Sequence, residues 1–185
     1  MNKKVILVLA ILLIICLPVT ALAASASKTT GDVTSTTTTA TNFVLKTVTD
    51  TEASQALLEN IFGLVNNDGG SPIGFFDDGV KGQIISKFPE GTDPETLQMN
   101  EFVTIEGFNY TNTIGDQPVT FSFATNYTSE QTLVAAVAIF NSDGTVAEWV
   151  VLDATVVDGK VTITFPQSIL ELLSSNPGAL AIFSN

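Results

Sequence analysis

Leu133-Val134-Ala135-Ala136-Val137-Ala138-Ile139-Phe140 is an unbroken apolar run, closed by the turn residues Asn141-Ser142-Asp143-Gly144. A strand with no polar alternation needs cover on both faces, so the run predicts a central strand. Downstream, Val146 to Leu152 returns as a second strand. Asp158-Gly159 is a two-residue hairpin turn, after which Val161, Ile163 and Phe165 alternate with Lys160, Thr162 and Thr164. Upstream, the period is already two from Phe102 onward, and Val119, Phe121 and Phe123 alternate with Thr120 and Ser122. Pro166 opens a helical crossover carrying Ile169, Leu170, Leu172 and Leu173, which Asn176-Pro177-Gly178 ends. Ala179 to Phe183 is the last strand, free to pair with another chain if it lies at a sheet edge. Six strands in sequence with short turns predict an antiparallel β-sandwich of Ig-like type over residues 101–185.

Before this region the period is helical. Asn42 to Val48 reads as a short strand; then Leu57, Ile61, Leu64 and Val65 form one stripe, with Asp50 or Thr51 as its N-cap. A second stripe, Val80, Ile84, Ile85 and Phe88, follows the cap candidates Asp77 and Asp78 and stops at Pro89. Its spacing fits one helix face, although Gly79 and Gly82 each weaken a helix by about 1 kcal/mol relative to Ala. Thr92-Asp93-Pro94-Glu95 reads as a capped helical turn. The expectation is an α+β chain, with a helical N-terminal subdomain at 43–100 packed on the sandwich.

The first residues, Met1-Asn2-Lys3-Lys4, lead into an apolar run from Val5 to Leu17 and the small-residue site Ala21-Leu22-Ala23. That is the pattern of a secretory signal peptide over 1–23, which leaves no integral membrane span once removed; the alternative is an uncleaved membrane anchor, against which Pro18 and the Ala-x-Ala site favour cleavage. Residues 24–42, rich in Ser and Thr with the tract Thr36-Thr37-Thr38-Thr39, read as a flexible linker. The only cysteine, Cys16, leaves with the leader; the chain has no histidine, and all seven basic residues are lysines. The usual proton shuttle, thiolate nucleophile and bidentate phosphate clamp are therefore missing from the body. A net charge of −12, or −14 without Lys3 and Lys4, repels nucleic acid and anionic lipid.

The stretch Asp143-Gly144, Trp149, Asp158-Gly159-Lys160-Val161-Thr162 and Ala179-Leu180-Ala181-Ile182-Phe183 resembles the closing strands of small β-sandwich modules in secreted and surface proteins of Gram-positive-type bacteria. Gly74-Phe75-Phe76, Phe88-Pro89-Glu90-Gly91-Thr92-Asp93 and Asn100-Glu101-Phe102 also look like parts of uncharacterised helix-plus-β-sandwich proteins of that group. The likeness runs from about Leu57 to the end and implies an extracellular setting; it brings no catalytic or ligand residue with it.

Asn66, Asp68 and Asp77 fall at positions 1, 3 and 12 of a calcium loop, with Ile73 at position 8. Gly70 at position 5, Ser71 in place of the glycine at 6, and Asp rather than Glu at 12 depart from that loop. Helix termination and capping explain the same residues without a metal. Carboxylate chemistry is the one catalytic option left, and Glu101, Glu106 and Glu148 lie in or beside strands. Glu148 is placed at a sheet edge or bulge with a solvated head. With no histidine, a Ser nucleophile needs a lysine, and Ser86-Lys87 is adjacent rather than spaced. Trp149, Tyr110 and Tyr127 are candidates for an aromatic platform, but Trp149 shares its side with Ala147 and Val151, which favours burial. Asn109–Thr111 and Asn126–Thr128 match the N-glycosylation sequon, relevant only in a eukaryotic secretory pathway.

The resulting expectation is a non-catalytic secreted or cell-surface-associated module with a binding or structural role and no cofactor, whose partner is an extracellular protein or glycan. The alternatives are a small carboxylate-dependent glycan hydrolase and a calcium-dependent adhesion module. No catalytic, cofactor-binding or metal residue is assigned.

Overall fold

In the computed structural model, which describes residues 34–37, 43–48, 51–68, 71–110, 115–123 and 127–185, the chain changes period where its apolar pattern does. The expected leader at 1–23 and most of the expected linker lie outside the described residues. The strands are β1 (Thr34–Thr37), β2 (Phe43–Val48), β3 (Gln98–Tyr110), β4 (Gln117–Ser122), β5 (Leu133–Phe140), β6 (Val146–Val157), β7 (Lys160–Phe165) and β8 (Gly178–Ser184). Among the described residues three α-helices accompany them: α1 (Glu52–Asp68), α2 (Asp78–Ser86) and α3 (Gln167–Ser175). Two short 3-10 turns, Pro72–Phe75 and Pro94–Thr96, begin with prolines behind the caps Ser71 and Asp93. Thr51 Oγ1 accepts from Ser54 N at 3.3 Å, the N-cap contact of α1. Asp77 Oδ1 accepts from Gly79 N at 2.8 Å and Val80 N at 2.9 Å, which starts α2 despite its glycines.

All strand pairings are antiparallel, and the strands form one eight-stranded sheet in the order β1-β4-β7-β6-β5-β8-β3-β2. Its two terminal strands, β1 and β2, are consecutive in the chain and joined only by residues 38–42. Such a connection spans at most about 20 Å. A flat sheet of that width, at about 4.8 Å per strand, would hold its edges about 34 Å apart. The sheet must therefore curl until β1 and β2 approach each other, and residues of the two strands do come into contact.

Curling gives the sheet an inner and an outer core. Inside, Val103, Ile105, Val119, Phe121, Val137, Ile139, Leu152, Ile163, Phe165, Leu180 and Ile182 pack together, and α3 closes them with Ile169, Leu170 and Leu173. Outside, Val134, Ala136, Ala138 and Phe140 of β5 and Ala179, Ala181 and Phe183 of β8 lie beneath Leu57 and Ile61 of α1, Ile73 and Phe76, and Ile84 of α2. Burial of each large apolar side chain contributes about 1.5–3 kcal/mol before entropy is set against it. The uninterrupted apolar runs of β5 and β8 follow from having cover on both sides.

The antiparallel, α+β character matches expectation, and the strands are hydrogen-bonded as one curled sheet. One ladder of backbone bonds continues through β4, β7, β6 and β5, and β8 then carries it on to β3. The last strand is not at an edge: β8 pairs with β5 on one side and β3 on the other, as its two apolar faces require. Thr34–Thr37, inside the expected linker, pairs with β4, and β3 begins at Gln98, so the expected border at 100/101 falls within a strand. No helix among the described residues is long and apolar enough to cross a membrane.

Candidate functional site

The hairpin β6–β7 has unequal arms. β5 pairs with β6 from Val146 to Ala154, whereas β7 reaches only Ala154–Val157. Pro166 stops β7: its φ of −57° and missing N–H suit entry into α3 and cannot continue a ladder. Residues 146–153 of β6 thus run on with no strand on their β7 side among the described residues. Where the arms part lies a groove of about 400 Å³, lined by Lys87, Val151, Leu152, Asp153, Thr155, Thr162, Thr164 and Pro166. Lys87, the C-cap of α2, reaches across to Asp153, Nζ to Oδ1 2.7 Å. An exposed pair of this kind contributes at most about 1 kcal/mol, so it marks the groove wall more than it stabilises the fold.

Beside the groove, the outer face of β4, β7 and the β7-paired end of β6 carries hydroxyls. In register across the sheet stand Thr120, Thr162 and Thr155, one on each of β4, β7 and β6. The hydroxyls of Thr120 and Thr162 share a hydrogen bond of 2.9 Å, and Thr155 Oγ1 donates to the Thr162 carbonyl at 3.3 Å. Adjacent strands set such a row at about 4.8 Å per step, a regular series of donors and acceptors. Thr164 extends it along β7 and is exposed.

A second groove, about 590 Å³, opens at the start of α1 between Thr51, Glu52, Ala53 and Ala56 on one side and Phe140 to Gly144 with Pro177 on the other. Two acids line it, Glu52 and Asp143, both exposed. Asp143 Oδ1 accepts from Thr145 Oγ1 at 2.6 Å and Thr145 N at 3.0 Å. These bonds, the hydroxyl first, hold the Asp143 carboxyl below its ordinary range. A glycosidase acid needs the opposite, a pKa raised by burial.

The sequence candidates are dispersed. Glu101 is buried at 1% exposure in β3, paired with Ile182 and alternating onto the side of Val103 and Ile105. Glu148 is exposed, opposite Ile139 at the register shift between Ile139 and Phe140, in the unflanked part of β6. The side chain of Glu106 lies outside the described residues. Of the calcium-loop residues, Asn66 and Asp68 belong to the last turn of α1, not to a loop, and Asp77 Oδ1 is engaged in capping α2. Among the described residues no cluster of three or more acids, His or Cys is placed to hold a metal ion. Ser86 Oγ donates to Gln83 O at 2.8 Å, away from Lys87, whose ammonium is on Asp153.

Trp149 and Tyr127 do not share a platform. Trp149 is half-buried on the outer face, edge-on to Phe76 at 4.8 Å and Phe75 at 6.5 Å. Tyr127 is buried in the inner core against Phe123 at 6.3 Å. Sequence reasoning missed the parting of β6 and β7. Its signal was present in Pro166, which ends a six-residue alternation opposite a strand twice that length. Comparison with protein-family models, with curated proteins and with solved structures finds no match for this chain.

Proposed function

We propose that the chain is a non-catalytic, secreted or cell-surface-associated module that binds or scaffolds at the cell exterior. The leader pattern over residues 1–23 supports export, and the likeness to secreted helix-plus-β-sandwich proteins of Gram-positive-type bacteria supports the setting. In this reading the two halves of the curled sheet, which share one inner core, serve as the two layers of a sandwich do in such proteins.

The observation that carries the reading is the hydroxyl row on the outer face of β4, β7 and β6, a polar surface beside the groove where β6 and β7 part. The acids of the α1 groove point the same way: they are solvated, and Asp143 is tied into its own turn. A pull-down of the full chain on envelope fractions, with and without chelator, tests this, run beside a reducing-sugar assay on envelope glycans. Retention that is indifferent to chelator, with no sugar released, is the expected result. Retention abolished by chelator would transfer the reading to a calcium-dependent adhesion module, and released reducing ends to a carboxylate-dependent hydrolase. Absence of retention would overturn the proposal.

A further inference from the structure

We propose that the unflanked edge of β6, residues 146–153, takes up an extended, lysine- or arginine-bearing segment of another protein by strand addition. This deepens the binding-module reading by naming the chemistry of the partner.

The edge arises from the fold itself. In an antiparallel strand alternate residues direct both N–H and C=O to one side. β5 satisfies one set along Val146–Ala154, while β7 makes its last pair with β6 at Ile163 and Ala154 and continues to Phe165 alongside β4 alone. No other backbone hydrogen bond among the described residues reaches 146–153. An incoming strand would follow the track β7 abandons, entering the groove where the two arms part, with Thr164 and Pro166 on its far wall. Main-chain bonds of this kind give affinity, and alternate side chains give selectivity.

Charge selects the occupant. Along the track stand Glu148 and Asp153, both exposed; Lys87, which lines the same groove, matches the charge of Asp153 and leaves Glu148 as the unmatched acid. The chain as a whole carries −12. A second copy would bring like charge to an acidic edge, whereas a basic segment gains from it. Glu148 and the adjacent register shift are also devices by which proteins discourage indiscriminate edge pairing, and they act most strongly against acidic or self partners.

The test uses the full chain and three octapeptides: alternating valine and lysine, alternating valine and glutamate, and the lysine peptide with two central prolines. Binding is read by fluorescence anisotropy and the location by amide hydrogen exchange. The lysine peptide is expected to bind at least tenfold more tightly than the glutamate peptide and to slow exchange within 146–153. The proline peptide is expected to lose both effects, because it cannot complete the ladder. Glu148→Lys is expected to weaken the lysine peptide at least fivefold while leaving the thermal unfolding midpoint unchanged. Protection elsewhere, equal binding of the two charged peptides, or concentration-dependent self-association that protects 146–153 would each overturn the inference. If envelope retention persists in Glu148→Lys and no peptide protects the edge, the inference fails and the module reading stands. If peptide protection holds but envelope retention is absent, the reverse is true.

Discussion

Gly178 and Leu173 meet so closely that a methyl group on the Gly178 α-carbon would stand 2.6 Å from Leu173 Cδ2. The same methyl would lie 2.8 Å from the Ala138 carbonyl oxygen, which is backbone and cannot step aside. This is where α3 hands the chain back to the sheet, between buried residues of β5 and α3. Gly178→Ala is therefore expected to cost about 1–3 kcal/mol through overpacking. Urea unfolding measures it, and a loss below about 0.5 kcal/mol would show that α3 yields freely.

Gly82 has the opposite prospect. It lies inside α2, is exposed, and nothing stands within 4 Å of an added Cβ. Gly82→Ala is expected to stabilise by about 0.5–1 kcal/mol, through helix propensity and a less disordered unfolded chain. Asp77→Ala, which removes both cap bonds at the start of the same helix, is expected to cost about 1 kcal/mol. The two variants, measured in one unfolding series, should bracket the parent.

Phe121 is fully buried in the inner core, stacked on Phe123 at 5.8 Å and tilted against Phe165 at 6.3 Å. Phe121→Ala is expected to cost about 3–5 kcal/mol, since neighbours fixed by the curled ladder cannot collapse into the space. A midpoint little changed in guanidinium would contradict a single shared inner core.

Asp143 supplies a pH test. Its folded-state pKa lies below the ordinary 3.8 because the hydroxyl and amide of Thr145 bond to the carboxylate. A depressed acid contributes stability that is present above its unfolded pKa and is lost as pH falls through the folded value. Any contribution from this turn should thus be complete above pH 3.8 and decline only below it. Carboxyl NMR of Thr145→Val should show the Asp143 titration moving upward toward the ordinary value; an unmoved midpoint would remove Thr145 as the cause.

Local chemistry was largely legible from residues alone. The run 133–140 is an interior strand with both faces covered, as its lack of polar alternation requires. Asp158-Gly159 is the turn its composition predicts, with φ of 52° and 74°. The caps at Thr51, Asp77 and Asp93 each fall on a predicted candidate. What the residues left open was pairing between distant strands. Nothing in Ala179 to Phe183 says whether its neighbours are β5 and β3 or a second sheet, because apolar faces specify cover and not partner. Thr34–Thr37 carries no apolar signal, and its pairing depends on the β4 edge offering backbone groups. The open stretch of β6 was hidden for a related reason: a strand's alternation reports its faces, whereas its edges depend on where a neighbour stops.

The place of β8 has a consequence for the order of assembly. Removing it from the sheet leaves two fragments, β1-β4-β7-β6-β5 and β3-β2, with no ladder between them. Since β8 supplies Leu180 and Ile182 to the inner core and Ala179, Ala181 and Phe183 to the outer one, neither core is complete while that keystone is out of place. Docking of Gly178–Ser184 between β5 and β3 is therefore the step that unites the two fragments, and the sheet cannot complete its curl before it.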